Sequence, residues 1–310
     1  PPAAAMQFGM QMPADTYIYS GRLPLAFRPD GTGFVVSLKM DGGTQLFLRP
    51  LDGLELEAIP GTRDADSPFF SPDGQWVVYT LSKRDMRKVG FPWSPELVRR
   101  ERCIAQGTIQ GCLFALEYGV AMNIAGGTHH AYSDRGEAFC MLNDQAIGAH
   151  YLLDHNLAKR ILILDLDVHQ GNGTAEIFSR VPEVFTFSMH GEANYPFRKE
   201  ESDLDVPLER GTTDAKYLSV LEKNLSWLKN SVNPDFVFYL SGVDILATDK
   251  LGTLSVSQEG CRLRDEMVFQ WCRKHDLPVQ CSMGGGYSPE LRTIVEAHAN
   301  TFRMAQYLYF

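Results

Sequence analysis

The run Ile161-Leu162-Ile163-Leu164, followed by Asp165-Leu166-Asp167-Val168-His169, constrains this chain more than any other stretch. Four branched aliphatic residues in a row read as a buried strand or a short piece of core helix. Gly171 and Gly173 just beyond favour strand, then loop. Side chains alternate along a strand, so Asp165, Asp167 and His169 are expected on one face. Two carboxylates and an imidazole on one buried face are costly unless something neutralises them. A divalent metal is the simplest neutraliser. Helix capping and pairing with arginine are alternatives that this stretch alone leaves open.

The remaining composition narrows the setting. A chain of 310 residues can bury a sizeable core as one α/β domain or as two smaller units. A net charge of -9 argues against a general binder of nucleic acid or membrane surfaces. No apolar run reaches membrane-spanning length. Pro1–Met12 lacks the basic start and apolar centre of a signal peptide, and position 1 is not Met. The six cysteines (103, 112, 140, 261, 272 and 281) form no CxxC pair. Reduced thiols in a cytoplasmic protein are therefore expected, rather than a disulfide scaffold.

Along the chain, residues 1–16 read as a poorly ordered tail, and about 21–82 as all-β. Ala26-Phe27-Arg28-Pro29-Asp30-Gly31 is echoed by Phe69-Phe70-Ser71-Pro72-Asp73-Gly74, an offset of 43 residues, and a β-rich run follows each. That is a propeller-blade period, and the segment resembles a blade of TolB-type β-propellers. One blade cannot bury its faces without neighbours, so a fragment of another architecture is expected over 1–82.

From 83 to 310 strand and helix alternate. Ser94-Pro95 opens a helix expected to end at Gly119. Strands are expected at 121–125, 161–167, 184–189, 236–240 and 278–282. Further helices are expected at 143–156, 174–178, 216–229, 258–275 and 289–306. This order implies a parallel sheet covered on both faces by helices. Each main strand then delivers a polar or glycine-rich loop to one end of the sheet, where ligands bind in such folds. Those loops carry His129 and His130; Asp165, Asp167 and His169; Ser188, Met189 and His190; Asp244; and Gly284–Tyr287. Asp167, His169 and Asp244 would supply O, N and O ligands and leave a coordination position open. Asp244 taken alone reads as a cap or turn residue, and Tyr287 as a rim tyrosine.

In this order, Gly126-Gly127-Thr128-His129-His130-Ala131, Gly136–Asp144, Asp165–Gly173, Gly242-Val243-Asp244 and Gly284-Gly285-Gly286-Tyr287 resemble the zinc-dependent histone deacetylase family. Val89–Glu96, Asn194–Phe197 and Asp203–Leu208 look most like its class IV and bacterial members. The resemblance covers about residues 87–310. It implies an arginase-like α/β fold and metal-dependent removal of acetyl or longer acyl groups from lysine-type amines. The substrate would be an acylated lysine in protein or peptide, or an acetylated small amine.

By the same resemblance, Asp167, His169 and Asp244 would bind zinc or ferrous iron, and His130 would be the general base. His129 would stabilise charge, oriented by Asp165, and Tyr287 would donate to the oxyanion. Asp165, Ser188 and Met189 would help hold a structural potassium ion, while Phe139 and Cys140 would line the acyl channel. Ala138 stands where many members carry glycine. Asn172 stands where the best-known members carry aspartate, and should support His130 more weakly. The family's usual N-terminal part, with an edge strand and an acidic substrate loop, has no visible counterpart. A chimeric or truncated non-catalytic chain acting as an interaction module is the competing reading.

Overall fold

In the computed structural model every residue of the strand Ile161–Asp165 is buried, and its side chains divide between two cores. The structure describes residues 12–18, 24–60, 62–71, 73–75, 77–80, 87–92 and 94–310. The chain divides into two compact units, Pro1–Pro92 and Trp93–Phe310.

The first unit is antiparallel. Strands β1 (Tyr17–Ile18), β2 (Leu25–Phe27), β3 (Gly33–Met40), β4 (Gly43–Pro50) and β5 (Glu57–Ala58) form one sheet around the long β3–β4 hairpin. β6 (Asp66–Phe70) pairs with β7 (Val77–Thr80). Period-two alternation along β3 sends Phe34, Val36 and Leu38 to one core and Val35 to another. The two echoed turns share a geometry: Gly31 N–H donates to Arg28 O, Gly74 N–H to Ser71 O, and each glycine has φ +73. Part of the expected tail is packed, since Met12 lies against the Phe34 core. Residues 1–11 of that tail, Trp76, and the expected boundary at 82/83 lie outside the described residues.

The second unit carries α1 (Pro95–Tyr118), β8 (Val120–Asn123), α2 (Asp144–Asp154), β9 (Ile161–Asp165), α3 (Asn172–Phe178), β10 (Val184–Gly191) and β11 (Leu204–Leu208). It continues with α4 (Asp214–Ser231), β12 (Phe236–Leu240), α5 (Gln258–Lys274), β13 (Val279–Ser282) and α6 (Leu291–Tyr309). α1 starts where the sequence places it. Ser94 Oγ accepts from Leu97 N–H at 3.1 Å, Pro95 needs no partner at the first position, and Gly119 closes the helix at φ +84.

The sheet runs β11-β10-β9-β12-β13-β8, and all five pairings are parallel. Ile161, Ile163, Phe236 and Phe238 face α1, α2 and α3, packing on Cys112, Ala149, Leu152 and Phe178. Leu162, Leu164, Val237 and Tyr239 face α4, α5 and α6, packing among Leu221, Leu225, Val268, Phe269 and Leu308. Each such side chain contributes about 1.5–3 kcal/mol by leaving water. From β9 the chain moves outward to β10 and β11, then returns to β12 on the other side of β9. The crevice between β9 and β12 is therefore the switch point of the sheet, where open α/β folds bind ligands.

Candidate active site

β9 ends at Asp165, two residues earlier than expected, so pleating does not place Asp167 and His169. Two successive side-chain turns do. Asp165 Oδ1 accepts from Asp167 N–H at 3.1 Å, and Asp167 Oδ1 accepts from His169 N–H at 3.0 Å. Leu166 and Val168 pass into the core between them. The expectation that Asp165, Asp167 and His169 share one strand face is thus corrected. Asp167 and His169 join Asp244, from the loop after β12, with one ligand atom of each within 4.8 Å of the others.

The three groups are buried and held in place. Asp167 Oδ2 accepts from Gly285 N–H at 2.9 Å and Asp244 Oδ1 from Val168 N–H at 3.0 Å, which fixes both carboxylates. Asp244 Oδ2 is buried without a hydrogen bond, 3.2 Å from His169 Nδ1. A Cβ on Gly242 would stand 2.2 Å from Asp167 Oδ2, and one on Gly285 2.1 Å from Asp244 Oδ2, so only glycine lets both backbones close on the carboxylates. Without a metal, burial and then the Asp167 charge raise Asp244 to about 7. Burial opposes charge on His169, but Asp167 and Asp244 outweigh it and raise the imidazole to about 10. A bound divalent ion would replace those protons. The donor set, its burial and the orphaned oxygen fit such an ion.

Two histidines stand beside the cluster with different partners. His129 Nδ1 lies 2.6 Å from Asp165 Oδ2, and its Nε2 lies 3.9 Å from Asp167 Oδ1. Burial disfavours its charge, but the Asp165 carboxylate prevails and raises it to about 9. His130 Nδ1 meets the amide oxygen of Asn172 at 2.6 Å. Burial, and then the neighbouring His129 charge, hold His130 well below the ordinary histidine value. An amide oxygen can only accept, so His130 carries its proton on Nδ1 and leaves Nε2 free.

The other expected residues sit as follows. Tyr287 follows β13; burial and the Asp167 and Asp244 charges raise its phenol, and its ring centroid lies 6.3 Å from that of Phe139. Cys140 is buried, while Phe139 is 44% exposed. Glu137 and Cys140 exchange both backbone hydrogen bonds, with Ala138 at φ +43 and Phe139 at φ +65. This is the two-residue hairpin turn that normally takes Asn-Gly. Ser188 and Met189 are buried on β10, with Ser188 the register partner of Asp165 and its hydroxyl 3.0 Å from His190 Nδ1.

Two contributors lie in motifs that the sequence analysis quoted without giving them a role. Asp144 Oδ1 accepts from Gly127 N–H, Thr128 N–H and Thr128 Oγ1, and Oδ2 from Thr108 and Ser282. It pins the loop that presents His129 and His130. Its visible signals were the end of the Gly136–Asp144 motif and a place in the first turn of α2. Tyr195 packs edge-on against His130 at 5.0 Å and donates to Glu137 Oε2 at 2.7 Å; the Asn194–Phe197 stretch marks its place but not this contact.

Comparison with known proteins bears on this arrangement. An uncharacterized protein of Picosynechococcus sp. is 45% identical over 230 residues, or 74% of this chain and 77% of that protein. Histone deacetylase 2 of Arabidopsis thaliana is 35% identical over 201 residues, 64% of this chain but 52% of its own length. The solved structures of a histone deacetylase homolog complexed with SAHA and of one from Aquifex aeolicus superpose with TM-scores of 0.58 and 0.57. Both are 28% identical and cover 66% of this chain and 56% of the other. The chain thus spans little more than half of these last three relatives. The histone deacetylase domain matches residues 71–302, a start earlier than the expected 87. That match runs through the whole cluster from His129 to Tyr287, and the chain belongs to the histone deacetylase family.

Proposed function

We propose that this chain hydrolyses the amide of an acylated lysine in a protein or peptide, or of an acetylated small amine. The observation that carries the reading is the convergence of Asp167, His169 and Asp244 beside two histidines of opposite electrostatic character. Zinc or ferrous iron, held by these three residues, would supply a Lewis acid that polarises the amide carbonyl and acidifies water.

The chain's own groups do the rest. His130, neutral with Nε2 free, takes the water's proton and returns it to the leaving amine. His129, cationic against Asp165, favours the negative charge that develops on the carbonyl oxygen, and the Tyr287 hydroxyl donates to the same oxygen. Phe139 and Cys140 flank the acyl group. Asp165, Ser188 and Met189 would hold potassium where the end of β9 pairs with β10 and stiffen the loop that carries Asp167. A non-catalytic interaction module is not favoured, because such a module has no use for three buried ligand groups and a buried base.

The test is direct. Purified chain supplied with zinc should bind about one ion and release acetate or a longer acid from acyl-lysine peptides. A folded, metal-loaded chain that cleaves no member of an acyl-length series, on peptide or small amine, would overturn the proposal.

A further inference from the structure

Asn172 poses a problem that a carboxylate would not. A carboxylate shows two like oxygens, whereas an amide shows an acceptor on one side and a donor on the other. His130 keeps Nε2 free only while Asn172 turns Oδ1 toward Nδ1. A flipped amide would press its NH2 against Nδ1, which would then have to accept, and the ring proton would move to Nε2.

The surroundings oppose that flip. Asn172 is buried, with Oδ1 at 2.6 Å from His130 Nδ1. Its Nδ2 donates to Tyr132 Oη at 2.9 Å and, at longer range, to Glu137 Oε2 at 3.4 Å. The Tyr132 hydroxyl hydrogen is engaged by Glu200 Oε1 at 3.2 Å, so its lone pair faces Asn172. Glu137 Oε2 is an acceptor that also takes the Tyr195 hydroxyl at 2.7 Å. Both neighbours of Nδ2 therefore accept: a flipped Oδ1 would face the Glu137 carboxylate with no proton between, and could take the Tyr132 proton only at the expense of its bond to Glu200. The acceptors are themselves held. The Arg135 guanidinium lies 3.5 Å over the Tyr132 ring, its Nε is 3.5 Å from Glu137 Oε1, and the Glu137 backbone is clamped to Cys140.

We infer that Tyr132 and Glu137 are positioning residues that lock the Asn172 amide, and through it the tautomer of His130. The inference rests on the reading of His130 as the base. Neither residue touches the reacting atoms; both act through Asn172.

The experiment reads the tautomer and the turnover separately. Histidine ring 15N spectra and steady-state kinetics are recorded on the purified chain, on Tyr132→Phe, on Glu137→Gln and on the double variant. The unaltered chain should show His130 as a single Nδ1–H form. The double variant should show a second, Nε2–H form, with kcat lowered about 10-fold, the worth of about one hydrogen bond, and KM within about twofold. Adding Asn172→Asp to the double variant should restore the Nδ1–H form and recover kcat, because a carboxylate has no wrong face. The inference fails if the double variant, or either single variant should the double not fold, keeps one Nδ1–H tautomer and full turnover. It fails equally if Asn172→Asp rescues nothing. Absence of turnover in the unaltered chain would instead count against amide hydrolysis, and the ring spectra would still decide the lock.

Discussion

His129 and His130 are neighbours in the chain, with ring centroids 4.1 Å apart, and both are buried beside the same carboxylates. Yet His129 is pushed up to about 9 and His130 well below the ordinary histidine value. The difference lies in what each Nδ1 meets. Asp165 offers His129 a full negative charge that outweighs burial. Asn172 offers His130 an equally short hydrogen bond from a neutral oxygen, so burial and the adjacent cation win. A hydrogen-bond acceptor thus fixes the ring's orientation in both cases, but only a charged one fixes its protonation. Chemistry that needs one cation and one base in the same pocket can be written with two identical residues and two different partners.

The contrast exists only around the cluster both rings face, so removing that cluster has the largest expected effect. Asp244→Ala should abolish tight metal binding and lower turnover about 10³-fold or more, as loss of a metal's Lewis acidity requires. Metal analysis by mass spectrometry beside peptide hydrolysis checks this, and a variant that keeps both would remove Asp244 from the site.

Turning one partner into the other comes next. Asp165→Asn gives His129 an amide like that of His130 and should cost about 10²-fold in kcat, comparable to removing one oxyanion donor. It also alters stability against pH in the metal-free protein. His129 is raised from 6.5 to about 9 on folding, so its contribution is full below 6.5 and fades as the pH rises through about 9. Urea unfolding across that window should show a shallower alkaline decline in Asp165→Asn than in the parent. Parallel curves would mean that His129 is not held protonated by Asp165.

The smallest effect is expected at the turn that brings Glu137 to the His130 side of the pocket. Ala138 at φ +43 pays roughly 1–2 kcal/mol for a left-handed backbone. Glycine avoids that cost but loses about 0.5–1 kcal/mol of chain entropy. Ala138→Gly should therefore raise stability by up to about 1 kcal/mol, seen as a higher Tm, with kcat changed by less than about twofold. A lower Tm would show that the methyl packs favourably enough to outweigh the strain.

What could be read from the residues alone followed from local rules. Ser94-Pro95 and Gly119 mark the ends of α1, and Phe236–Leu240 is too apolar to be anything but a buried strand. The order of strands and helices then brought Asp167, His169 and Asp244 to one end of the sheet. β11 was missed because an edge strand need not alternate cleanly: Leu204, Asp205 and Val206 are all half-buried, and an edge tolerates Pro207. The side-chain turns at Asp165 and Asp167 replaced the expected pleat because the strand stops where Asp165 turns to His129. The roles of Asp144, Tyr195, Tyr132 and Glu137 stayed hidden because these hydrogen-bond partners lie 16–138 residues away in the chain. Only the folded register reveals which acceptor each donor meets.

The proposed function needs His130 to act as a neutral base beside Asp167, His169 and Asp244 without itself being a ligand. Its most direct test is His130→Ala, with bound metal and turnover measured on the same sample. About one ion per chain should remain while kcat falls about 10²–10⁴-fold, the range for losing a positioned general base. Retained turnover with metal in place would contradict the account.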